Sequence, residues 1–304
     1  MTPERVPPRR ITPLATPAFA GGEPDFPLSE AEVVRLVKAA LDEDQASNDL
    51  TTLATVLPTR KARAVLVAHE PGMICGMPLA LATLCRCDEK VEIRVDVEDA
   101  QRVERGTTLL FLNGKARGVL AAERTALNFL QHLSGIATLT ARYVEAVRGT
   151  GVQILDTRKT TPGWRRLEKY AVRCGGGFNH RETLADAVLI KDNHLAAVDG
   201  DVATAVKRSR ELSPPLTVVQ VECDRLDQVR ASLDAGADAV LLDNMDLAML
   251  CEAVAIVAGR LVTEASGGVR LDTVRAIAET GVNRISVGAL THSAPAMNLA
   301  LDFQ

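Results

Sequence analysis

The chain has 304 residues, with 35 Lys and Arg against 39 Asp and Glu; the formal charge of −4 gives no overall attraction to nucleic acid or an anionic lipid surface. Hydrophobic residues make up 47% but aromatics only 3%, so the core must come from Ala, Val, Leu and Ile, a composition suited to helices packed on buried parallel strands. No run approaches the roughly 18 to 20 continuous apolar residues of a membrane span, and the length predicts two domains, because single cores stop growing at roughly 250 to 300 residues.

Residues 1–27 are rich in Pro, Arg, Thr and Gly and lack an apolar core segment, which predicts a disordered leader rather than a secretory signal and a cytoplasmic protein. A helix is expected to start at Ser29, a capping residue with Glu32 in capping-box position, and to carry Val33, Val34, Leu36, Val37 and Leu41 at helical spacing. After the polar turn Ser47-Asn48-Asp49, the β-rich runs 62–68, 91–97 and 108–112 predict a small sheet with helices on one face. From Gly118 to Val147 the pattern is helical, with Gly135 its one weak interior position, and two linking helices are expected. The six cysteines lack the paired spacing of a zinc site and are expected to be reduced, buried thiols.

Beyond Gly151 a short apolar strand ending in a polar residue, followed by a helix, repeats. The strand ends are Leu155-Asp156, Ile190-Lys191, Val221-Glu222, Leu242-Asp243, Thr263-Glu264 and Val287-Gly288. Such β-α repeats predict a parallel β/α barrel with these polar residues at its C-terminal mouth, and a doubly wound open sheet is the alternative. The expected division is therefore a leader (1–27), an N-terminal α/β domain (28–150) and a barrel domain (151–289), with about 290–304 packing back on the N-terminal domain.

The mouth would gather cationic Arg158, Lys159, His180, Arg181 and Lys191 and acidic Glu222 and Asp243. Arginines grip carboxylates through paired hydrogen bonds, so such a cluster fits a planar diacid. Two carboxylates on neighbouring strand ends can orient ribose hydroxyls or hold Mg²⁺ bridging phosphate oxygens. Ser266-Gly267-Gly268, ahead of a helix, and Gly288 at the next strand end let backbone N–H groups approach a monophosphate. Lys191 at a strand end also permits a Schiff base, as in barrel aldolases, and a non-catalytic barrel that binds phosphorylated metabolites is a third reading.

The segments Glu123-Arg124-Thr125-Ala126-Leu127-Asn128-Phe129, Leu133-Ser134-Gly135-Ile136-Ala137-Thr138 and Asp156-Thr157-Arg158-Lys159-Thr160-Thr161-Pro162-Gly163 resemble the quinolinate phosphoribosyltransferase family. So do Leu167-Glu168-Lys169-Tyr170-Ala171-Val172, Gly175-Gly176-Gly177, Asn179-His180-Arg181 and Leu189-Ile190-Lys191-Asp192-Asn193-His194. The resemblance covers about Ser29 to the C-terminus, and the stretch from Asp156 to His194 is its most specific part. The leader has no counterpart in the family pattern, and Trp164 stands where a smaller apolar residue is common.

The resemblance implies an α/β fold, an N-terminal α/β sandwich followed by an incomplete, seven-stranded β/α barrel. It implies transfer of phosphoribosyl from phosphoribosyl pyrophosphate to quinolinate with loss of CO₂, giving nicotinate mononucleotide in NAD biosynthesis. It assigns quinolinate to Arg158, His180, Arg181 and Lys191, with Arg124 arriving from the partner subunit of a homodimer that can assemble further as a trimer of dimers. Thr157 joins the substrate-binding set, and Lys159 is expected at the pyrophosphate. Glu222 and Asp243 are expected at the ribose and Mg²⁺, and Ser266, Gly267, Gly268 and Gly288 at the 5′-phosphate; Lys159, Lys191, Glu222 and Asp243 form the catalytic set. A related protein of molybdenum transport operons shares this fold, and the full set of diacid-binding cations argues against it.

Overall fold

The computed structural model of the protein describes residues 24–304. Residues 1–23 of the expected leader lie outside the described residues. Its last four do not stand apart: the Phe26 ring packs edge-on against Tyr170 at 5.3 Å, and Arg173 donates to the Asp25 carbonyl at 3.3 Å. The described chain forms two compact units, one of residues 24–148, 153–182 and 287–304, the other of 149–152 and 183–286.

In the first unit, helix α1 (Glu30–Glu43) begins with the predicted capping box: the Ser29 side chain accepts from the Glu32 backbone and the Glu32 side chain accepts from the Ser29 N–H. Then come α2 (Leu50–Thr55), β1 (Lys61–Ala68), β2 (Gly72–Met73), α3 (Met77–Cys87), β3 (Glu92–Val95), β4 (Arg102–Val103) and β5 (Thr108–Lys115). Helix α4 (Ala116–Ala146), β6 (Gln153–Leu155) and α5 (Arg165–Cys174) follow. In the second unit β7 (Val188–Ile190), β8 (Val219–Cys223), β9 (Ala239–Asp243), β10 (Val262–Ser266) and β11 (Arg284–Ser286) alternate with helices α6 (Asp192–Ala196), α7 (Val202–Leu212), α8 (Leu226–Asp234), α9 (Leu247–Val257) and α10 (Val274–Glu279). Helix α11 (Ala289–His292) and strand β12 (Leu299–Phe303) again belong to the first unit.

The first unit holds a four-stranded antiparallel sheet in the order β12-β1-β5-β3. The C-terminal strand therefore does pair with the N-terminal sheet, Leu301 lying opposite Leu66. Leu66, Ile74, Leu109, Leu110 and Leu130 are fully buried in its core, which is aliphatic as the composition requires. The expectation of two linking helices is corrected: α4 is one continuous helix of 31 residues. Gly135 marks a contact rather than a break, because a Cβ there would lie 2.1 Å from the Pro295 carbonyl oxygen.

The strands of the second unit run parallel in the order β11-β10-β9-β8-β7. Strictly sequential order, with no point where the winding reverses, excludes the doubly wound alternative and is that of an incomplete barrel. The six strands read from the sequence are present as β6 to β11, but one end is misplaced: β10 runs on to Ser266, so Glu264 lies buried within the strand rather than at its mouth. The cysteine expectation holds in part: all six are free, Cys75, Cys174 and Cys223 are buried, and Cys85 and Cys251 are exposed on helices. No helix among the described residues is long and apolar enough to cross a membrane.

Candidate active site

In a parallel sheet, register partners and residues two apart on one strand share a face. Glu222 pairs with Leu241, and Asp243, two residues on, pairs with Ser266; Leu189 pairs with Gln220, which puts Lys191 and Glu222 on the same side. The register thus places Lys191, Glu222, Asp243 and Ser266 together at the C-terminal ends of four neighbouring strands. The Lys191 ammonium lies 3.0 Å from the Glu222 carboxylate, Lys191 half-exposed at 47% and Glu222 at 16%.

The Asp243 carboxylate accepts from the side-chain amide of Asn244 at 2.7 Å, and the Asn244 N–H donates to the Ser266 carbonyl at 2.9 Å. Gly267 sits at φ +94° with its missing Cβ 2.2 Å from the Asn244 side chain, so no larger residue fits there. Asn244, absent from the sequence-derived set, thereby locks the acidic strand end to the Ser266-Gly267-Gly268 turn. Its left-handed φ of 55° is a conformation Asn tolerates better than most residues, which was its only sequence signal.

Among the described residues no group of three or more His, Cys, Asp or Glu could hold a metal ion. Glu222 and Asp243 supply two carboxylates on one face. That donor set fits Mg²⁺ arriving with a diphosphate, since the ion keeps waters and takes one or two protein carboxylates plus phosphate oxygens.

In the first unit the loop after β6 carries Thr157, Arg158 and Lys159. The Thr157 hydroxyl accepts from the Lys159 N–H at 3.0 Å, and the Thr291 hydroxyl donates to the Lys159 carbonyl at 2.7 Å. Gly288 faces this loop, a Cβ there lying 3.2 Å from Lys159 Cδ, so the residues expected at pyrophosphate and 5′-phosphate adjoin. Arg158 Nε is buried and has no hydrogen-bond partner among the described residues. Lys159 is exposed on the same loop.

His180 and Arg181 follow an isolated bridge of Phe178 to Leu155. The Arg181 N–H donates to His180 Nδ1 at 2.8 Å, so the neutral ring carries its proton on Nε2. Asp156, fully buried, accepts from Lys169 at 2.5 Å, from the His180 N–H at 2.8 Å and from the Asn179 amide at 2.6 Å. Burial pushes its carboxyl above the ordinary aspartate range, opposed by Lys169 and these donors. Arg124 is exposed on α4 with no hydrogen bond or ion pair among the described residues. His194, left off the expected site, accepts from the Lys191 N–H at 2.9 Å and so caps α6.

Within one unit the loops carry clustered cations, and within the other a β/α alternation carries paired carboxylates and a glycine turn at its strand ends, the features of an enzyme of the β/α-barrel class. Residues 49–134 match the family Quinolinate phosphoribosyl transferase, N-terminal domain, and residues 136–302 its C-terminal domain. The chain is 45% identical over 272 residues to nicotinate-nucleotide pyrophosphorylase [carboxylating] of Mycobacterium leprae, covering 88% of this chain and 95% of that one. It is 38% identical over 288 residues to quinolinate phosphoribosyltransferase [decarboxylating] 2b, mitochondrial, of Nicotiana tabacum, covering 89% and 82%. The solved nicotinate-nucleotide pyrophosphorylase of Francisella tularensis superposes with a TM-score of 0.86 at 40% identity, covering 92% of this chain and 99% of that one. The chain belongs to the quinolinate phosphoribosyltransferase family.

Proposed function

We propose that the protein transfers the phosphoribosyl group of phosphoribosyl pyrophosphate to quinolinate and releases CO₂, forming nicotinate mononucleotide and pyrophosphate. The observation that carries this reading is the 3.0 Å contact between Lys191 and Glu222. The reacting nitrogen of quinolinate lies beside one of its carboxylates, so a cation for that carboxylate must adjoin the group that holds the ribose. A lysine in contact with a strand-end carboxylate supplies that adjacency.

In this reading Arg158, Arg181 and Lys191 pair with the two carboxylates, His180 donates from Nε2, and Arg124 of a second subunit completes the grip in a homodimer. Glu222 and Asp243 hold the ribose hydroxyls, Thr157 and Lys159 face the pyrophosphate, and Ser266, Gly267, Gly268 and Gly288 receive the 5′-phosphate. Mg²⁺, held by Glu222 and Asp243 directly or through water, would neutralise charge on the departing diphosphate.

The ring nitrogen's lone pair forms the bond to the anomeric carbon as the C–O bond to pyrophosphate breaks, its electrons leaving with the diphosphate. The nitrogen is then positive. It draws in the electron pair released when the adjacent C–CO₂ bond breaks, and the ring carbon takes up a proton. The residues' main task is to align two polyanions that otherwise repel, and alignment of this kind is worth on the order of 7 to 11 kcal/mol. A Schiff-base role for Lys191 is disfavoured, because the ammonium is half-exposed and ion-paired rather than desolvated. The test is release of labelled CO₂ from carboxyl-labelled quinolinate by the purified full-length protein, with and without phosphoribosyl pyrophosphate. Absence of release with both substrates and Mg²⁺ overturns the reading.

A further inference from the structure

Helix α5 presents Arg165, Glu168 and Lys169 at i, i+3 and i+4, so the three share one face. All but one of the side-chain hydrogen bonds described below for that face go to the two cation-bearing loops. Arg165 donates to the Thr160 hydroxyl at 3.0 Å, to the Glu182 carbonyl at 3.1 Å and to the Arg158 carbonyl at 3.4 Å. Glu168 accepts from the Thr161 N–H at 3.0 Å, and its other oxygen lies 3.0 Å from His132 Nε2 on α4. Lys169 donates to Asp156 at 2.5 Å and to the His180 carbonyl at 3.0 Å.

Such a face is a poor way to gain stability. Glu168 is 0% and Lys169 2% exposed, and buried ion pairs are commonly matched or bettered by apolar residues of similar volume. What the face does supply is geometry, because the rigid fork of Arg165 touches the main chain beside Arg158 and beside Arg181 at once.

We infer that Arg165, supported by Glu168 and Lys169, is a positioning residue that fixes the loop of Arg158 and Lys159 relative to the segment of His180 and Arg181, setting the spacing of the diacid grip. Arg165 itself touches no substrate in this scheme. The inference rests on the proposed activity for its substrate but not for its geometry.

The experiment uses the full-length protein with Arg165→Ala, Arg165→Lys and Glu168→Gln, and reads three quantities. Calorimetric affinity for quinolinate should fall at least about tenfold in Arg165→Ala and less in Arg165→Lys, because lysine keeps the charge but loses the fork. Millimolar guanidinium should restore part of that affinity in Arg165→Ala only. Hydrogen exchange should quicken at residues 158–161 and 180–183 while the thermal midpoint stays within a few degrees of wild type. Glu168→Gln, which preserves shape, should quicken exchange at Thr161 alone. Unchanged affinity and exchange in a folded Arg165→Ala, or a loss of affinity that follows a general loss of stability, overturns the inference. If wild type itself fails to bind quinolinate, the activity is refuted, and the exchange measurement alone decides whether Arg165 holds the loops.

Discussion

Arg181 and Lys191 reach the proposed diacid from different segments, one after the Phe178 bridge and one at the end of β7, yet each is assigned to a carboxylate. Removing one charged partner forfeits about 1.5 to 3 kcal/mol, roughly 10- to 150-fold in Kd. Arg181→Ala and Lys191→Ala should therefore weaken quinolinate binding by that order and phosphoribosyl pyrophosphate binding much less; equal losses for both ligands in calorimetry reject the assignment. Asp243→Asn keeps the shape and removes the charge, so it should lower Mg²⁺-dependent turnover while quinolinate affinity is retained. Wild-type rate and metal dependence in that variant would make Asp243 structural, a partner of Asn244 only.

At the scale of elements, Gly135 sets two effects against each other. Ala in mid-helix is favoured over Gly by up to about 1 kcal/mol, but a Cβ 2.1 Å from the Pro295 carbonyl forces backbone to move, and overpacking of this kind costs about 1 to 3 kcal/mol. The clash should win: Gly135→Ala is expected to lower the urea midpoint, and a raised midpoint would show that α4 does not lie this close to Pro295. The start of α1 offers a pH test. Ser29 and Arg166 hold the Glu32 carboxyl at about 2, and a carboxyl lowered on folding contributes stability above its unfolded value that is lost as pH falls through the folded one. Glu32→Gln should melt below wild type at neutral pH, and the two should converge on acidification from about pH 5 towards about pH 2; parallel curves would show that Glu32 carries no linked proton.

For the whole molecule, Arg124 stands out as exposed and without an ion pair among the described residues. If it serves a partner's site in a two-fold dimer, Arg124→Ala and Lys191→Ala, each inactive alone, should complement when unfolded and refolded together. A mixed dimer has one site with both groups intact and one lacking both. Free exchange makes half the dimers mixed, so activity should return to roughly a quarter of wild type. No recovery, with mixed dimers verified by differently tagged subunits, places Arg124 within its own chain's chemistry or outside it.

The features that the sequence by itself determined are those written in short-range pattern. The Ser29–Glu32 capping box is a contact over one helical turn, and the β-α repeat with polar strand ends is a period, so α1 and the strands from β6 to β11 could be read before any packing was known. Thr157, Arg158, Lys159, His180, Arg181 and Lys191 could be singled out because they fall within one dense motif from Asp156 to His194, whereas Glu222 and Asp243 were singled out only as polar residues at strand ends. Tertiary structure alone decided what each face meets. Gly135 read as a helix break until Pro295, far along the chain, proved to lie against it, making α4 continuous. The sequence assigned no part to Arg165 and gave Glu168 and Lys169 only as members of a family-like segment, since charge spacing says nothing of burial. Only when the chain closes α5 over the loops does that face become internal, and a side chain's role then follows from its partners, which local sequence does not specify.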